Sequence, residues 1–142
     1  MRALLIAALL LAGCAGPAVR PPAAKPSQGV RGRVVKLVGD FTLDPPRGRR
    51  LPQAVPVHVF RGRLLPLEKP DPKHPALIKI VQPGRDGRFE IALPPGEYTL
   101  VAEIDGELYI NSWMEDGCWA VVDVRPGRWT DYVIENVLEA TF

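Results

Sequence analysis

Asp86-Gly87-Arg88-Phe89-Glu90-Ile91-Ala92-Leu93-Pro94-Pro95-Gly96-Glu97-Tyr98-Thr99-Leu100-Val101-Ala102-Glu103-Ile104-Asp105-Gly106 decides the fold class of this 142-residue chain. Phe89, Ile91 and Leu93 fall on one side of a two-residue repeat, with Arg88, Glu90 and Ala92 on the other. That is the alternation of a strand with one buried face. Tyr98, Leu100, Ala102 and Ile104 repeat it against Glu97, Thr99, Val101 and Glu103. The Asp-Gly pairs suit tight reversals, and Pro94-Pro95-Gly96-Glu97 suits a type II turn, with proline pre-setting one central residue and glycine supplying positive φ at the next. The spacing predicts three strands between Phe89 and Trp113, joined as a meander.

Outward from this stretch, runs rich in valine, isoleucine and aromatics recur between glycine, proline and aspartate. They predict strands at 30–38, 55–60, 77–81, 88–93, 98–104, 108–113, 118–124 and 130–138. No segment carries a helical period, so the pattern is that of an all-β sandwich. Gly32-Arg33-Val34, Val55-Pro56-Val57-His58-Val59, Asp86-Gly87-Arg88-Phe89 and Leu93-Pro94-Pro95-Gly96-Glu97-Tyr98-Thr99-Leu100 follow one another in order. Together they resemble the carboxypeptidase regulatory-like domain. The resemblance covers Val30 to about Ile104. For residues 30–142 it implies a seven- to eight-stranded prealbumin-like Greek-key β-sandwich that serves as a non-catalytic attachment or interaction module. The chain departs from the family at 41–53 and 64–75, where prolines and basic residues interrupt the pattern.

Residues 1–13 combine a positive start at Arg2, an apolar run from Ala3 to Ala12 and a small-residue exit, the layout of a signal peptide. The run is too short to span a bilayer, which takes about 20 apolar residues. Leu11-Ala12-Gly13-Cys14 resembles the lipobox of bacterial lipoproteins. That resemblance implies cleavage before Cys14 and a diacylglycerol thioether on its sulfur, so the membrane is the expected partner through a lipid anchor. Ala15 stands where an Asp would favour inner-membrane retention, which points to the outer membrane facing the periplasm, or to the cell surface. Residues 14–29 are dense in proline and read as an extended spacer.

Catalytic signatures are sparse. A zinc carboxypeptidase pairs histidine with a glutamate three residues later, but His58 is followed there by Arg61 and His74 by Leu77. The two histidines lie on different segments, and each Asp-Gly lacks the alternating carboxylates of a calcium loop. With Cys14 carrying lipid, Cys118 has no disulfide partner and reads as a small hydrophobe. The expectation is a chain without catalytic residues, metal or cofactor.

The formal charge of +2 conceals a lopsided distribution. Residues 14–85 carry fourteen Lys and Arg against four Asp and Glu, whereas residues 86–142 carry three against twelve. Cross-strand and cross-loop pairing between two mutually attractive halves is the expected explanation. Arg47, Arg49, Arg50, Arg61 and Arg63 are candidates for a basic patch that meets lipopolysaccharide or other anionic envelope material, with no role for nucleic acid. Tyr109, Asn111 and Trp113 share strand parity, and Trp119 follows a turn, so these four are candidates for stacking on sugars or, alternatively, for core packing. The functional expectation is a binding or structural accessory module. Its alternative is a carbohydrate- or peptidoglycan-binding module, or an accessory subunit of an envelope transport system with an envelope protein partner.

Overall fold

A computed structural model describes residues 25–142. The expectations for residues 1–13, for Cys14 and for most of the spacer lie outside the described residues. Residues 25–28 form no strand, but Gln28 is already tied to the domain: its Nε2 donates to Leu93 O at 3.4 Å and its Oε1 accepts from Gly127 N at 3.1 Å.

Nine strands make two sheets among the described residues. The spine of the first is β1 (Gly29–Asp40). One edge of β1 pairs in parallel with β9 (Trp129–Thr141); the other pairs antiparallel with β5 (Arg88–Ala92) and then with β2 (Arg49–Pro52). In the second sheet β6 (Gly96–Ile104) lies between β3 (Val57–Arg61) on one side and β7 (Glu107–Tyr109) and β8 (Val122–Val124) on the other, while β4 (Leu77–Val81) flanks β3. Val30, Val34, Phe89, Ile91 and Ile134 of the first sheet meet Val57, Val59, Leu100, Ala102, Val122 and Val124 of the second. Each such side chain removed from water contributes roughly 1.5–3 kcal/mol before ordering entropy is subtracted.

The expected meander is not what forms. β5 pairs with β1, whereas β6 pairs with β3 in the opposite sheet. The physical reason is Pro94-Pro95: two successive residues without an N–H end the ladder, and the chain crosses from sheet to sheet there. Gly96 has φ +152°, wider than the about +80° of a type II turn. The crossing is fastened by the Tyr98 hydroxyl, which donates to Pro94 O at 2.6 Å. The second reversal forms as read, since Asp105 and Gly106 both have positive φ (51° and 78°) and join β6 to β7 as a two-residue hairpin.

A second difference concerns the outer face of the second sheet. Thr99 and Val101, on the side of β6 read as solvated, are fully buried. The segment from Gly62 to Ala76, read as an interrupted loop, folds back over them. Leu64, Leu67 and Ala76 join Phe60, Val101, Leu108, Ile110 and Trp119 in a second apolar cluster. The cover is held by backbone: Trp119 N donates to Leu64 O (3.0 Å), Arg61 N to Ala76 O (2.8 Å), and the Thr99 hydroxyl to Gly62 O (2.7 Å). Strand β2 lay unread in the expected loop because its four residues are all exposed and carry no alternation. The strand expected at 108–113 stops at Tyr109, and the one expected at 118–124 begins only at Val122.

Candidate functional site

Among the described residues the outer face of the first sheet is left open, whereas that of the second is largely covered by the segment from Gly62 to Ala76. Register fixes the composition of the open face, because residues paired across strands project on the same side. One row across β9, β1 and β5 is Asp131, Arg31 and Glu90. Arg31 is matched there, its Nη2 lying 3.4 Å from Glu90 Oε1 and its guanidinium 4.5 Å above the Trp129 ring. The next row is Val133, Arg33 and Arg88. The third is Glu135, Val35 and Pro52, where Arg50 of β2 reaches Glu135 in an ion pair. Lys36, of the other parity on β1, meets Glu139 Oε1 through its Nζ at 2.6 Å. A shallow groove runs over the second and third rows between Arg33, Arg88 and Arg50, with Val35, Val133 and Pro52 as its apolar walls and Asp86 and Glu135 also along it.

The five arginines singled out by charge are divided between the sheets. Arg49 and Arg50 lie on β2 with Arg47 just before it, all at the edge of the first sheet. Arg61 ends β3 in the second sheet, and Arg63 follows it. Arg63 is engaged there: its Nη1 donates to Asp116 Oδ2 at 2.9 Å and its Nε lies 3.7 Å from Glu97. Asp116 also accepts from Cys118 N at 3.0 Å. That backbone donor first, and Arg63 second, hold the Asp116 carboxyl below the ordinary carboxylate range. Loss of solvent, with Asp116 alongside, pushes the Cys118 thiol up and keeps it protonated.

The four sugar-stacking candidates do not form a row. Trp119 is 3% exposed within the second cluster. Tyr109 packs against the main core, and its hydroxyl accepts from Val137 N at 3.1 Å. Asn111 and Trp113 are exposed, Trp113 at 58%, and Trp113 is bridged through its backbone to Trp119.

The two histidines approach more closely than their sequence positions suggest. His58 is 1% exposed, with Nε2 2.7 Å from Glu103 Oε2 and Nδ1 without a hydrogen-bond partner. Phe60 stands between it and His74, with ring centroids 6.4 Å and 5.5 Å away. The covering segment brings His74 there, which strand spacing alone does not disclose. Among the described residues no group of three or more His, Cys, Asp or Glu is gathered in a way that would hold a metal ion.

Arg33 and Arg88 stand in no run of charge along the sequence. Their signal is positional: each sits at the exposed parity of its strand, and only the pairing of β1 with β5 sets them side by side. No known protein family, curated protein or solved structure matches this chain.

Proposed function

We propose that this chain is an exported bacterial lipoprotein, cut and lipidated at Cys14 and held at the outer membrane facing the periplasm. Its sandwich, of the prealbumin-like Greek-key type of carboxypeptidase regulatory-like domains, serves as a non-catalytic binding or structural accessory module. The observation that carries the binding role is the inequality of the two outer faces. The second sheet spends its outer face on its own covering segment, whereas the first sheet leaves an open, arginine-bearing face. A surface of that composition suits anionic envelope material, whether lipid, lipopolysaccharide or an acidic protein partner. The ordered motifs from Gly32 to Leu100 support the family reading, and the lipobox-like Leu11-Ala12-Gly13-Cys14 supports the address.

Cys14→Ser tests the anchor. In cells fed labelled palmitate, the wild type should carry label and sediment with membranes. The variant should be unlabelled and appear in the soluble fraction with an unchanged β-type circular dichroism spectrum. A wild type without label, or a variant that keeps it, would overturn the anchor.

A further inference from the structure

We infer that Arg33 and Arg88 are a binding site for the phosphate group of an anionic phospholipid on the open face of the first sheet. This deepens the reading of that face as a binding surface and rests on it. The two residues are direct cross-strand partners. Like charges placed opposite one another destabilise an antiparallel pair. One row away the same strands place Arg31 between Asp131 and Glu90, so this sheet neutralises an arginine where register offers a carboxylate. Around Arg33 it does not: its neighbours are Arg88 and Val133, and no carboxylate lies within ion-pair distance of it among the described residues. Arg88 has only Asp86, with its Nε 3.7 Å from Oδ2 and both side chains well exposed. Arg50 lends no free charge, because Glu135 already holds it.

The geometry selects the anion. One guanidinium fork satisfies the two oxygens of a carboxylate, whereas two forks abreast match the several oxygens of a phosphate. The apolar walls select what the phosphate is attached to. Val133 and Pro52, both exposed, with Val35, the cross-strand partner of Pro52, provide hydrocarbon contact beside the charge, which free phosphate does not use. An anionic headgroup with its glycerol and proximal acyl carbons meets both requirements.

The test uses the full chain with Cys14→Ser in every arm, so that any membrane retention from the N-terminus is the same throughout. Co-sedimentation at low salt compares phosphatidylglycerol vesicles with phosphatidylcholine vesicles, and inorganic phosphate is added as competitor. Binding to phosphatidylglycerol should exceed binding to phosphatidylcholine by about tenfold or more, and Arg33→Gln with Arg88→Gln should abolish the difference. Arg31→Gln, whose charge is already matched, should bind within about twofold of the parent. Equal recovery on both vesicles, or a double variant that still discriminates, would overturn the inference. Displacement by inorganic phosphate at concentrations equal to the lipid would reassign the site to free phosphate and overturn the lipid assignment. The melting temperature of the ligand-free double variant should equal or exceed that of the parent, since a repulsion is removed. A lower one would show the pair to be structural. None of these outcomes bears on the palmitate labelling of Cys14, so the two readings fail separately.

Discussion

At Gly87 two demands meet on one residue. Its φ is +74°, and its carbonyl accepts from Val34 N at 2.9 Å, so the turn is laced directly to β1. A Cβ there would stand 2.4 Å from Val34 O, a backbone atom of the central strand that has no freedom to withdraw. The left-handed angle alone costs a residue with a Cβ about 1–2 kcal/mol, and the collision adds to it. Gly87→Ala should therefore lose more than about 2 kcal/mol in urea unfolding; a loss below about 1 kcal/mol would show that the turn can relax away from β1. Gly32 meets only the second demand: a Cβ there would stand 2.3 Å from Tyr132 O, a backbone atom of β9, and 2.5 Å from the Phe89 ring. The Asp-Gly pair was legible as a turn, since its chemistry is local. The close approach of β1 was not, because it comes from a strand more than fifty residues earlier.

Among the elements, the turn joining Trp113 to Trp119 is held in part by an ionised carboxylate. Met114 N donates to Cys118 O and Gly117 N to Met114 O, while Asp116 ties Cys118 N to Arg63. Folding lowers the Asp116 pKa, so this contribution is fully present above the ordinary carboxylate value, about 4, and is lost as pH falls through the lowered one. Trp113 and Trp119 emission should stay constant from pH 8 to about 5 and change only below about 4. A transition near neutrality would show that Asp116 does not hold the turn. The bounds of β4 coincide with its apolar run, and those of β5 and β6 nearly match the stretches where alternation and flanking turns agree. β2 and the division of β7 from the 110–120 segment were not legible, since no periodicity marks a short exposed strand.

For the molecule as a whole, Tyr132 is the side chain that packs against both apolar clusters. Burial pushes its phenol up to about 12. The unfolded chain gives up this proton near pH 10 while the folded one holds it, so stability is intact below about 10 and falls as pH rises toward 12. That amounts to about 2–3 kcal/mol, and Tyr132→Phe should flatten the decline in urea midpoints over this range. An unchanged slope in the variant would place the alkaline sensitivity elsewhere. Sequence by itself determined the all-β class, the turn chemistry and the inward residues of most strands, because a two-residue repeat and a glycine or proline act over a few neighbours. Only the tertiary structure decided that the chain crosses between sheets at Pro94-Pro95, that its own segment covers one outer face, and that Arg33 stands against Arg88. Those are matters of which distant strand lies alongside, and strand pairing is a long-range choice, settled by how two sheets close over one core.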